Sequence, residues 1–198
     1  MNRMTNEHKS TPEAYNKIFD KLRILGDDFF DFTFDKRHKT LLKHFKGGKL
    51  LDVGCLNSPL CLIAQKQYPT AEITLLDFAP HVINYFHNNY LYETVLSDCC
   101  HTPFQDNTFD YITSGELIEH QDEPKDLVKE MARILKPNGI FALSTPDREA
   151  NNERGAGYHI WSFKEEDIKE FLEPYGEVKT EILEKSQNVN YIIGFLTK

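Results

Sequence analysis

The chain has 198 residues, 40% hydrophobic and 27% charged, with a formal net charge of −8 and a pI near 5.5. That length suits one domain that buries a core without disulfides or metals as props, and the acidic balance argues against a surface built mainly to grip nucleic acid. No apolar run approaches a membrane span, and residues 1–15 lack the apolar centre of a signal peptide, so the expectation is a cytoplasmic protein without a membrane partner.

Residues 1–10 are polar and expected to be mobile. After Thr11-Pro12, the spacing of Tyr15, Ile18, Phe19, Leu22 and Leu25 predicts a helix closed by Gly26. A second helix is predicted over Asp35 to Phe45, with Leu41, Leu42 and Phe45 on one face and Lys36, Lys39, Lys43 and Lys46 on the other. From Lys36 to Lys49 there are six basic residues and no acid. The stripe reads as a solvated helix face, with a docking patch for a phosphorylated or acidic partner as the alternative. Residues 1–46 thus form a helical cap segment ahead of a main domain over 47–198, able to lie over the end of its first strand.

From Lys49 onward strand and helix signals alternate, the pattern of a parallel sheet covered on both faces. Strands are predicted at 49–54, 72–77, 93–97, 109–114 and 139–145, and helices at 59–67, 80–89 and 122–135. Ser162, with Glu165 three residues on as its capping-box partner, predicts a further helix. Two strands close the chain, Val178 to Glu184 and Asn190 to Thr197. Cys55, Cys61, Cys99 and Cys100 show no C-x-x-C spacing and read as reduced thiols, not as a zinc site.

The first turn carries the most information. Leu50, Leu51 and Val53 run as a buried strand into Gly54, then a polar turn in which Ser58 is the expected N-cap and Pro59 the first helical residue. A helix start aimed back at a strand end favours an anionic group such as a carboxylate. The second strand is apolar until Asp77, placed beside that turn and able to accept both hydroxyls of a ribose. A dinucleotide needs G-x-G-x-x-G, but Leu56 stands where the second glycine belongs. An adenosine ligand without phosphates is the better fit.

In these residues the chain resembles the class I S-adenosylmethionine-dependent methyltransferases, in particular the small-molecule branch typified by the ubiquinone-biosynthesis and related type 11 enzymes. The likeness covers about residues 47 to 198. The family's first motif, with three alternating glycines, is matched at Asp52 and Gly54, while Leu56 and Ser58 replace the later glycines. Further likeness lies in Leu75-Leu-Asp-Phe-Ala-Pro80, in Ser97-Asp-Cys-Cys-His-Thr-Pro-Phe-Gln-Asp-Asn-Thr-Phe-Asp110, in Ser114-Gly-Glu-Leu-Ile-Glu-His120 and in Arg133-Ile-Leu-Lys-Pro-Asn-Gly139. Each is weak alone; in this order and spacing they are specific.

The resemblance implies a Rossmann-like, doubly wound, mostly parallel seven-stranded sheet with an antiparallel C-terminal strand, and S-adenosylmethionine as cofactor. It implies that Gly54 and Cys55 cradle the methionine tail, that Asp77 accepts from the ribose, and that Phe78 packs on adenine. Asp98 and the Cys99 backbone N–H would read the adenine, Asp52 would organise the loop and the ligand's ammonium, and Glu116 would face the sulfonium. His159 and His120 are the candidate bases; His159 lies in a segment resembling the family's H-x-x-x-F, which borders the substrate. No carboxylate cluster of the kind that holds magnesium stands out, so no metal is expected. The function implied is methyl transfer to an O or N atom of a small molecule or sugar. The alternatives are a catalytically inactive binding or regulatory protein, because two motif glycines are missing, and a nucleic-acid methyltransferase, disfavoured because Ser114-Gly-Glu-Leu replaces the N-P-P-Y-type tetrapeptide.

Overall fold

The computed structural model describes residues 2–3, 11–23, 35–147, 159–186 and 189–198. In chain order these form β1 (Asn2–Arg3), α1 (Pro12–Arg23), α2 (Asp35–Leu41), β2 (Lys49–Val53), α3 (Leu60–Gln67), β3 (Glu72–Asp77), α4 (Pro80–Asn89), β4 (Glu93–Leu96), β5 (Phe109–Gly115), α5 (Pro124–Ile134), β6 (Leu135–Pro146), β7 (Trp161–Ser162), α6 (Glu165–Leu172), β8 (Glu177–Ser186) and β9 (Val189–Thr197). Seven strands make one sheet in the order β4-β3-β2-β5-β6-β9-β8. The neighbours from β4 to β6 pair in parallel, and β9 runs antiparallel to both β6 and β8.

The β-strand period of two explains why both faces are apolar. Leu50, Leu75 and Tyr111 enter one core cluster, while their chain neighbours Leu51, Leu76 and Ile112 enter the other. A parallel sheet covered on both faces needs such continuous apolar strands. Across the sheet the order reverses between β3-β2 and β2-β5, and at such a switch point the carboxyl ends of the strands leave a crevice for a ligand.

The N-terminal helices pack on this body. Helix α1 lies against α4, where Asp20 sits 3.0 Å from His81 Nδ1. Helix α2 is tied down where the Tyr111 hydroxyl donates to the Leu41 carbonyl at 2.7 Å. It is shorter than the sequence pattern predicts: beyond Leu41 the chain tightens, Lys43 N–H bonding to Thr40 O and Phe45 N–H to Leu42 O. These three-residue steps still bury Leu42 and Phe45. The predicted closure of α1 at Leu25 and Gly26, and the loop Asn151 to Gly157, lie outside the described residues.

Three local expectations are corrected. Ser162 is not the N-cap of α6; it lies in β7, paired with Asn2, and the helix starts after Lys164, whose N–H donates to the Asp167 carboxylate at 2.9 Å. Pro59, not Ser58, is the N-cap of α3, although the Ser58 hydroxyl still accepts from Leu60 N–H at 3.2 Å. Asn2 and Arg3 are extended and paired, not part of a loose end. Among the described residues no helix is long and apolar enough to cross a membrane, and the four cysteines are free.

Candidate functional site

The turns after β2, β3, β4 and β5 enclose a cleft of about 520 Å3, the size of a small-molecule site. Its first wall is the turn after β2. Gly54 takes φ +71°, and a Cβ there would stand 3.0 Å from Leu117 Cδ1, so the position suits glycine both conformationally and sterically. Leu56 takes φ +32° although it carries a side chain, a conformation that costs a non-glycine residue about 1 kcal/mol. The fold therefore imposes on Leu56 a left-handed backbone of the kind a glycine would supply freely.

What holds that turn is Asp77, 4% exposed at the end of β3. One carboxylate oxygen accepts from Leu56 N–H at 3.1 Å and the other from Ala79 N–H at 2.9 Å. Burial nevertheless lifts its pKa to about 6 against these backbone donors. Asp77 thus joins the first turn to the start of α4, and it still lines the cleft. Phe78 follows, edge-on to Tyr15 of α1 at 5.3 Å between ring centres. Asp98 is exposed on the turn after β4, where it accepts from Cys100 N–H at 2.8 Å. It is a turn-forming aspartate and a cleft residue at once.

Asp52 stands apart from the cleft lining. It is 2% exposed; one oxygen accepts from the Thr113 hydroxyl at 2.9 Å, and the other has no hydrogen-bond partner among the described residues. Burial pushes its pKa up to about 7, with a smaller push from the Asp77 charge.

The opposite end of the cleft is built from the turn after β5. Glu116, at φ +55°, accepts from the Ser144 hydroxyl at 3.0 Å and lies 3.5 Å from the Arg37 guanidinium. Glu119 follows in a single turn of 3-10 helix and is 1% exposed, accepting from the Thr145 hydroxyl at 3.1 Å. Burial raises the pKa of both, and the Glu119 charge further opposes ionisation of Glu116; Arg37 and His159 pull both back down. His120 lines the cleft. His159 does not; its ring packs edge-on to His120 with centroids 4.8 Å apart.

Of the sequence-derived candidates, Gly54, Cys55, Asp77, Phe78, Asp98, Cys99, Glu116 and His120 meet around this cleft, while Asp52 and His159 sit behind its walls. Sequence reasoning missed Tyr15, Arg37, His38 and Gln121, which also line it. Arg37 and His38 were hidden inside the basic stretch. The rest of that stretch behaves as a solvated face, Lys43 pairing with Glu181 at 3.0 Å on the surface. Burial pushes the Cys55 thiol well up, which makes it an inert cleft wall and not a nucleophile.

A family model described as a methyltransferase domain matches residues 51–143. A demethylmenaquinone methyltransferase of Staphylococcus aureus is 27% identical over 146 residues, which is 68% of this chain and 61% of the relative. The match thus spans about three fifths of that enzyme's length. Among solved structures, a complex of the Haloferax volcanii Trm112 methyltransferase activator with a methyltransferase contains a chain of TM-score 0.77 and 13% identity, covering 95% of this chain and 97% of that one. The 1,6-didemethyltoxoflavin-N1-methyltransferase of Burkholderia thailandensis, solved with bound 1,6-didemethyltoxoflavin and S-adenosylhomocysteine, has a TM-score of 0.71 and 15% identity, covering 98% of this chain and 93% of that one. At these identities the structures speak for the fold alone.

Proposed function

Because residues 51–143 match a methyltransferase-domain family model and a demethylmenaquinone methyltransferase is 27% identical over 146 residues, we propose that the chain is a class I S-adenosylmethionine-dependent methyltransferase that transfers a methyl group from that cofactor to an O or N atom of a small-molecule acceptor. When bound, S-adenosylmethionine supplies an already activated methyl group for in-line displacement. The protein then has to align, desolvate and, for a hydroxyl acceptor, remove a proton.

The single observation that carries this reading is Asp77. Each of its oxygens accepts one backbone N–H and keeps a further lone pair, so a cleft-lining acid at the switch point can hold the turn and accept ribose hydroxyls together. Asp98 and the Cys99 N–H take the adenine, with Phe78 against its face. The Gly54 and Cys55 backbone receives the methionine tail. The unpartnered oxygen of Asp52 suits the tail's ammonium, and that buried acceptor is the feature of the turn that most needs a cation. Glu116 faces the sulfonium end. His120, on the cleft wall, is the group placed to take a proton from the acceptor, and His159 positions it from behind.

A thermal-shift titration tests the assignment. Saturating S-adenosylmethionine or S-adenosylhomocysteine is expected to raise the melting temperature, by about 2.7 kcal/mol of stabilisation at 100 times Kd, whereas NAD+ should leave it unchanged. A flat response to both adenosyl ligands, or a larger response to NAD+, would reject the reading.

A further inference from the structure

Behind the acceptor end of the cleft lies a group of side chains that the methyl-transfer scheme does not require in this form. One carboxylate oxygen of Glu119, one ring nitrogen of His120 and one of His159 all lie within 4.8 Å of one another. The spacing comes from main-chain structure: Ile160 N–H donates to Glu119 O at 2.8 Å, and the Trp161 indole N–H donates to Gln121 O at 2.8 Å. Residues far apart in the sequence are thereby pinned side by side. One carboxylate with two imidazoles is a different set from the magnesium-holding carboxylate cluster sought in the sequence.

A second observation points the same way. Glu119 is 1% exposed, and its Oε2 accepts from Thr145, but its Oε1 has no hydrogen-bond partner among the described residues. That oxygen lies 4.0 Å from His120 Nε2, beyond hydrogen-bond reach. A buried acceptor left unmet is costly, and such an oxygen, on a carboxylate grouped with two imidazoles, is what a cation would relieve. Donor atoms around an ion at about 2.0–2.2 Å sit roughly 3–3.5 Å apart, so small side-chain rotations would close the set. Thr145 would serve as the partner that orients the ligating carboxylate.

We infer that Glu119, His120 and His159 bind one divalent transition-metal ion, with its open positions toward the cleft for an oxygen of the acceptor. Two imidazoles with one carboxylate suit manganese, iron, cobalt or zinc, and suit magnesium and calcium poorly because these prefer all-oxygen sets. The catalytic use of the ion rests on the methyl-transfer reading; its binding does not. In use, the ion makes an acceptor hydroxyl acidic. With the ion bound, His120 serves as ligand in place of base, so the proton leaves to water, an oxygen lone pair forms the new bond to the methyl carbon, and the carbon–sulfur pair returns to sulfur, giving a methyl ether and a neutral thioether. The acceptor class is then a hydroxyl-bearing molecule, and O-methylation is selected over N-methylation.

The test uses the whole chain, stripped with chelator and titrated with Co2+ alone. One equivalent is expected to bind at micromolar Kd and to produce visible ligand-field absorption, with Zn2+ competing it away. His159→Ala, which removes a part-buried ring outside the cleft lining, should weaken Co2+ at least tenfold yet keep the thermal shift with S-adenosylhomocysteine. Glu119→Gln, checked for folding by far-UV circular dichroism, should do the same. Wild-type protein that binds no Co2+ below millimolar, or His159→Ala that binds it as tightly as wild type, overturns the metal site. If S-adenosylhomocysteine still binds in that case, the methyl-transfer reading stands without the metal. Co2+ binding without adenosyl binding would uphold the site and remove its proposed use.

Discussion

At one end of the cleft, Asp77 is gripped by main chain, each oxygen taking a backbone N–H, from Leu56 and from Ala79. At the other end, Glu116 and Glu119 are met by side chains, from Ser144, Arg37 and Thr145, and one oxygen of Glu119 is met by none among the described residues. The end proposed for adenosine is therefore fixed wherever the strand–turn–helix path is fixed, and its chemistry is local. The acceptor end depends on where distant segments bring their side chains. Such a site is free to diverge without disturbing the sheet, which is why a shared fold leaves the acceptor open.

Three comparisons sharpen this contrast, in order of expected size, the first between two substitutions. Asp77→Ala removes an acceptor from two backbone N–H groups in a buried place, and at pH 5 should cost about 2 kcal/mol of stability, read by denaturant titration. Ser144→Ala removes one hydroxyl from Glu116 and should cost about 1 kcal/mol. Equal losses for the two would mean that the adenosine end is no more tightly built than the other.

The second comparison is in pH. Burial in the fold raises the pKa of Asp52 to about 7 and of Asp77 to about 6, from the ordinary aspartate value of 3.8. The folded chain holds these protons more tightly than the unfolded chain, so their contribution to stability is complete below about pH 3.8 and is lost as pH rises through 6 and 7. Melting temperatures of the free protein should therefore fall between pH 5 and 8 more steeply in wild type than in Asp52→Asn. Parallel profiles would contradict a raised pKa at the buried Asp52.

The smallest effect is expected at Leu56. Leu56→Gly relieves a left-handed side-chain residue but loosens the unfolded chain, and the two should nearly cancel, leaving stability within about 0.5 kcal/mol. S-adenosylhomocysteine affinity, measured by titration calorimetry, should rise severalfold, because the backbone can then approach the ligand. A fall in affinity would show that the Leu56 side chain is itself a contact.

The same contrast explains what the sequence disclosed. The sheet was legible because both-face burial writes itself as apolar runs in β2, β3 and β5, and Asp77 because it ends such a run. Gly54 was legible as the residue that permits the turn. Arg37 and Tyr15 were not, because nothing in a helical pattern tells which polar residue faces a cleft made by other elements. The pairing of His159 with Glu119 and His120 depends on β7, a strand of two residues held by β1, too short to leave a periodic signal. Ser162 misled for the same reason: its capping pattern is local, and the tertiary pairing of β7 prevailed.

Calorimetric titration of S-adenosylhomocysteine into wild type and into Asp77→Asn tests the central claim most directly, because asparagine keeps the shape and an oxygen for the turn but cannot accept two ribose hydroxyls as a carboxylate does. One molecule should bind wild type at micromolar Kd and at least tenfold more weakly to the variant. Equal affinity for the two, or no binding to wild type, would contradict the account.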